Sequence, residues 1–217
     1  MKIRSDSFKN GKPLPVEFAA GRPTADGFGF AANRNPHLAW DEVPEGTRSF
    51  ALLCIDPDVP TVAEMVGKPG VEIPAAQPRC DFVHWAMVDI AADLREIAAG
   101  SCSDGVVPHG KGEPAGPAGA RQGLNDYTGW FAGDADMAGQ WHGYDGPFPP
   151  PNDLRPHRYF FRLFALDVDS LSDCGLAAGN DFSAAEVFAA MHGHVLAEAS
   201  IHGTYSLHPD VAGENAQ

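Results

Sequence analysis

The chain has 217 residues, with 29 acidic against 15 basic side chains and a formal charge of −14. No Lys/Arg cluster could neutralise successive phosphates, and the charge opposes adsorption to an anionic leaflet, so nucleic acid and a membrane surface are not the expected partners. Hydrophobic residues at 44% suffice for a core, while 24 Gly and 19 Pro point to many turns, a β-leaning class and one compact unit over residues 1–217.

The segment Met1 to Phe8 lacks the apolar stretch of a signal peptide. No later segment reaches membrane-spanning length, so no integral membrane role and a cytoplasmic location are expected. Residues 1–39 carry scattered apolar side chains with Gly21, Gly27 and Gly29, which suits short strands and turns at the edge of a sandwich. Ser49 to Ile55 is an apolar run of strand length, followed by Asp56-Pro57-Asp58-Val59-Pro60. Because proline cannot donate to a ladder, the two prolines are expected to end the strand and leave Asp56 and Asp58 at its exit. Residues 61–79, with Pro69, Pro74 and Pro78, read as loop. From Phe82 to Ile90, alternation would put Phe82, His84, Ala86, Val88 and Ile90 on one face. Cys54, Cys80, Cys102 and Cys174 form no C-x-x-C pair, and reduced thiols are expected.

Gly100 to Gly146 is a glycine-rich excursion with few apolar runs, and loops of that length are usually functional or mobile. Within it Trp130, Phe131, Met137 and Trp141 would form a lid, a self-association patch that makes a homodimer, or a small core pinning the loop. Trp130 and Trp141 are expected to be largely buried, against the sandwich or at a dimer contact. His157-Arg158-Tyr159 opens a β-prone aromatic run to Leu166 in which His157, Tyr159 and Phe161 share a side. Ser183-Ala184-Ala185-Glu186 is a capping box that starts a helix, with Val187, Phe188, Met191 and Val195 at helical spacing and His192-Gly193-His194 inside it.

Two imidazoles and a phenol, from His84, His157 and Tyr159, are donors suited to a phosphate, sulfate or carboxylate. A carboxylate such as Asp56 can orient one imidazole and favour its charged form. Gly146 permits close backbone approach, next to the rigid Pro147. A second reading takes Asp56, His84 and His157 as a two-histidine, one-carboxylate metal triad of a metal-dependent hydrolase. No His-Glu-x-x-His motif unites them, no Gly-x-Ser-x-Gly elbow is present, and none of these fragments carries a Ser or Cys nucleophile. A binding module without a cofactor or catalytic residue is expected.

The Asp56 to Pro60 run, His84-Trp85, the Gly-Tyr-Asp-Gly-Pro-Phe-Pro-Pro stretch from Gly143 to Pro150, and His157-Arg158-Tyr159 follow one another in a characteristic order. Together they resemble the phosphatidylethanolamine-binding protein family, also called Raf-kinase-inhibitor-like, in its bacterial branch, over about residues 15–207. Asn35 to Trp40, Ala120 to Tyr127 and Gly203 to Tyr205 resemble further family segments, whereas Thr128 to His142 looks like an insertion. The resemblance implies an antiparallel β-sandwich with Greek-key character, a few peripheral helices and a pocket at one end of the larger sheet. It implies ligand binding by Asp56, Asp58, His84, Gly146, Pro147, His157 and Tyr159, with no metal. The ligand would be a small anionic group, the phosphate of a metabolite, phosphoprotein or phospholipid head group, and a kinase or protease would be the kind of protein target. The alternative is an interaction regulator that uses a surface away from the pocket.

Overall fold

A computed structural model describes residues 1–211. Its strands are β1 (Lys2–Arg4), β2 (Lys12–Pro13), β3 (Gly21–Thr24), β4 (Gly27–Phe30), β5 (Leu38–Asp41), β6 (Ser49–Pro60), β7 (Arg79–Ala91), β8 (Glu96–Ile97), β9 (Arg121–Gln122), β10 (His157–Leu166) and β11 (Val195–Tyr205). A single helical turn, α1 (Tyr127–Trp130), and a longer helix, α2 (Ala184–Met191), complete the regular elements used below.

The main sheet has six strands in the order β2-β11-β10-β6-β7-β9, and a three-stranded sheet, β1-β5-β8, packs over one face of it. Central β6 pairs antiparallel with both β7 and β10. It is buried on both faces, which is why its sequence is a continuous apolar run rather than an alternation. Phe50, Leu52 and Cys54 point into the inter-sheet core with Leu38, Trp40 and Ile97. Ala51, Leu53 and Ile55 point the other way, into a second core closed by Val187, Ala190 and Met191 of α2. On β10 the expected side holds: Tyr159, Phe161, Leu163 and Ala165 all enter the inter-sheet core.

The α2 N-terminus is the expected capping box. Ser183 Oγ accepts from Glu186 N–H at 3.3 Å, and the Glu186 carboxylate accepts from Ser183 N–H at 2.8 Å. The helix is shorter than expected. It stops at Met191, His192 to His194 form a turn with Gly193 at φ +84°, and Val195 is the first residue of β11. A helical period cannot distinguish Val195, one further turn along, from the start of a strand, so the boundary was set by the glycine turn.

Candidate functional site at the strand ends

The last residues of β6 and the first residues of β7 and β10 converge at one end of the main sheet. The two prolines of β6 do not end the strand, contrary to expectation; pairing resumes at Val59 and Pro60, opposite Cys80 and Arg79. Three steps on β6 between Asp56 and Val59 match two on β7, so one extra residue is accommodated as a bulge. There Asp58 N–H donates to Asp56 Oδ1 at 2.8 Å instead of across the ladder.

A second bulge places His84. Cys54 faces Trp85 while the next residue, Ile55, faces Val83, which leaves His84 as the extra residue. A third irregularity lies near Asp89, whose φ is +57°. Consequently the expected shared face divides: Ala86 and Val88 join the core under α2, while Ile90 lies in the inter-sheet core. The His84 ring instead packs against Tyr159, with centroids 5.1 Å apart, and against Phe82 and Tyr127.

His84 Nδ1 lies 2.7 Å from the main-chain oxygen of Asp145. A carbonyl only accepts, so Nδ1 carries the proton and Nε2 is the acceptor of the neutral ring. Burial lowers the His84 pKa and outweighs the nearby Asp56 charge, so the ring is neutral near pH 7. Asp145 is itself anchored by Asn33, Asn125 and Lys111. Burial raises its pKa, opposed chiefly by the Lys111 ammonium.

His157 is clamped between two carboxylates: Nδ1 lies 2.6 Å from Asp56 Oδ2 and Nε2 lies 3.0 Å from Asp153 Oδ2. Burial alone would lower its pKa, but Asp56 and Asp153 raise it to about 9. Arg79 also holds Asp153, so two cations face two carboxylates and the cluster carries no net charge. With both nitrogens engaged, His157 has no N–H left for a ligand, and its contribution is to fix Asp56. This geometry also opposes the metal triad, because both ring nitrogens face carboxylates. Among the described residues no group of three or more His, Cys, Asp or Glu is arranged to hold a metal ion.

Asp58 is occupied as well. Its carboxylate accepts Arg158 Nε–H at 2.7 Å, Nη2–H at 3.0 Å and the main-chain N–H at 3.1 Å. Its pKa is lowered although burial pushes upward, because Arg158 dominates. Asp58 thus ties the start of β10 to the end of β6 and lies outside the cavity wall. Gly146 makes a close approach, but to protein: a Cβ there would sit 2.2 Å from the Phe18 carbonyl oxygen. Its N–H donates to Asn33 Oδ1, and its carbonyl accepts from the Tyr127 hydroxyl. The Pro147 carbonyl accepts from Ala20 and Gly21. Both residues build the wall from behind.

The cavity has a volume of about 330 Å³, at the small end of ligand pockets. Asp56, His84, His157 and Tyr159 supply its polar floor, while Phe82, Phe148 and Met137 are among its apolar walls. The Tyr159 hydroxyl is buried and makes no hydrogen bond of ordinary length among the described residues, although the Asp56 carboxylate is near enough to act on it as an acceptor. Burial, then the Asp56 charge, holds the phenol well above its ordinary pKa, so it stays a neutral donor. The insertion contributes Trp130, Phe131, Asp134 and Met137 to the wall. Trp141 is buried in a small core with Tyr127 and Met137, as expected. Trp130 is not buried against its own sandwich: within the chain it is 48% exposed at the cavity mouth, because its neighbour Phe131 takes the inward place beside Trp141.

Sequence reasoning passed over Asp145 and Asp153, the anchors of the two histidines, and Tyr127, which stands in the wall. Asp145 lies within the Gly143 to Pro150 stretch, but its contribution to His84 is a main-chain oxygen that no side-chain inventory reveals.

A two-sheet sandwich with a small, floor-polar cavity at its strand ends defines a ligand-binding β-sandwich. A family profile described as phosphatidylethanolamine-binding protein matches residues 4–206, and the chain belongs to that family. A UPF0098 protein of Aquifex aeolicus is 35% identical over 94% of this chain and 88% of its own length. The UPF0098 protein YbhB of Escherichia coli is 32% identical over 95% of this chain and 100% of its own length. Among solved structures, E. coli YbcL, described as a new member of the mammalian PEBP family, aligns with a TM-score of 0.66 at 26% identity, covering 94% of this chain and 97% of that one. No helix among the described residues is long and apolar enough to cross a membrane.

Proposed function

We propose that this protein is a non-enzymatic binding protein that takes a small anionic, phosphate-type group into the cavity floored by His84 and Tyr159. The observation that carries this reading is the Tyr159 hydroxyl. A buried donor without a partner costs roughly 1–3 kcal/mol, and an oxyanion in the cavity would remove that cost. Family membership supports a binding role, and the apolar walls supply a dry setting in which one charge-assisted hydrogen bond counts for more than in water. His84 and Tyr159 are the direct contacts in this reading. Asp56 shares the floor, while Asp58, Gly146, Pro147 and His157 hold the wall in place.

A protein target such as a kinase or protease would be met through the same cavity, by way of a phosphorylated group. Four unpaired cysteines suit a reducing compartment, which supports the cytoplasm as the place of action. Calorimetric titration with phenyl phosphate tests the binding reading: wild type should bind, and Tyr159→Phe should bind about tenfold more weakly or worse, the value of a hydrogen bond to a charged group. Equal affinity in the two proteins would remove Tyr159 from the site.

A further inference from the structure

We infer that the site, if it binds a phosphate-type group as proposed above, takes that group in its singly protonated form. The ligand's own P–OH then donates to His84 Nε2, and Tyr159 donates to one of its other oxygens. The argument is an inventory of protons on the cavity floor. Asp145 O fixes the His84 proton on Nδ1, so the neutral ring presents an acceptor. His157 spends both N–H groups on Asp56 and Asp153. The Tyr127 hydroxyl donates to Gly146 O at 2.9 Å. Asp56 and, on the wall, Asp134 only accept, and among the described residues neither Lys nor Arg lines the cavity. Tyr159 is therefore the one side-chain donor left on the floor, with Trp130 Nε1–H out at the mouth, and it is set against several acceptors.

A phosphate dianion would meet one donor on the floor and repel the carboxylates and the Nε2 lone pair. A hydrogen phosphate ester brings its own donor and half the charge, so it matches the floor. The groups that face His84 divide: His157 from β10 opposes a second proton on the ring, Asp56 from β6 and the Asp145 and Gly146 main chains favour one, and Tyr159 from β10 and Tyr127 from α1 are neutral, with Lys111 behind the Asp145 carboxylate. Burial favours the neutral imidazole, against Asp56.

The competing possibility is that His84 gains a second proton and becomes the donor itself. Two probes separate the cases. Phenyl phosphate loses its second proton at a pKa of about 6, whereas phenyl sulfate carries one charge and no proton at any working pH. Calorimetric titration of wild-type protein with both, between about pH 5 and 8 so as to bracket that pKa, reads the difference. Phenyl phosphate is expected to bind about tenfold tighter than phenyl sulfate at the acid end, the value of one charge-assisted hydrogen bond. That advantage should shrink as pH rises, while phenyl sulfate stays flat. If both probes tighten together as pH falls, the proton comes from His84 and the inference is overturned; equal affinities overturn it too. If neither probe binds at any pH, the proposed function fails along with it. ¹⁵N NMR of His84 in the phenyl phosphate complex gives a second reading: one N–H, on Nδ1, supports the inference, and a second on Nε2 contradicts it.

Discussion

His84 and Asp145 are joined twice: Asp145 N–H donates to His84 O at 3.0 Å, and His84 Nδ1–H donates to Asp145 O at 2.7 Å. The first contact docks the Gly143 to Pro150 segment on the bulge of β7, and the second selects the tautomer of the ring that faces the cavity. A side chain's chemistry is thus set by the main chain of a residue 61 positions away.

The Lys111–Asp145 pair stands behind that contact, with Lys111 side chain 11% and Asp145 1% exposed. Lys111→Ala should strand a buried carboxylate that keeps only two amide donors. Breaking a buried pair costs about 3–5 kcal/mol, and Asn33 and Asn125 should hold the loss to the low end, about 3 kcal/mol. Urea denaturation with an unchanged m-value would register it. A loss below about 0.5 kcal/mol, the range of an ordinary surface change, would contradict the assigned role.

His157 links stability to pH. Its folded pKa of about 9 lies above its unfolded value of about 6.5, so its contribution is full below pH 6.5 and disappears as pH rises through 9. The chain should lose about 3 kcal/mol across that window from this group. His157→Gln should abolish that part of the slope, and stability curves of both proteins, taken across the window, provide the check. Parallel curves would mean that His157 titrates alike in both states.

Tyr159→Phe should separate stability from function. Removing a buried donor without a partner relieves a cost, so the unliganded variant should be more stable by about 1 kcal/mol while losing ligand affinity. Thermal unfolding of ligand-free protein reads the first effect. A destabilised variant would imply that the hydroxyl already bonds within the protein.

The two tryptophans of the insertion should behave differently. Trp141 is 2% exposed and its Nε1–H donates to Met137 O, so Trp141→Ala should cost about 3–5 kcal/mol. Trp130→Ala at the cavity mouth should stay within about 0.5–1 kcal/mol. Comparable losses would show that Trp130 has more packing than its exposure indicates.

The strands were legible where burial dictates composition. The runs of β6 and β10 could be read directly because each contributes to two cores. What escaped follows from local irregularity. Period-two reasoning assumes an unbroken ladder, and the bulges at His84 and near Asp89 each move the following residues to the other face. Proline signalled an end to β6, yet the strand needed only one bulge to pass it. The histidines were legible as candidates but their roles were not. His157 looked like a donor until Asp153, brought near by the turn before β10, took its second nitrogen. Val195 fitted the helical period and still belongs to β11, because the turn at Gly193 intervenes.

The central claim is that an oxyanion rests between Tyr159 and His84, and a crystal structure of the protein with phenyl phosphate tests it most directly. The account predicts one phosphoryl oxygen within about 3.2 Å of the Tyr159 hydroxyl and another within about 3.2 Å of His84 Nε2, the reach of a hydrogen bond, with His157 still clamped by Asp56 and Asp153. Phosphate bound to His157 in place of either carboxylate, or seated outside this cavity, would contradict it.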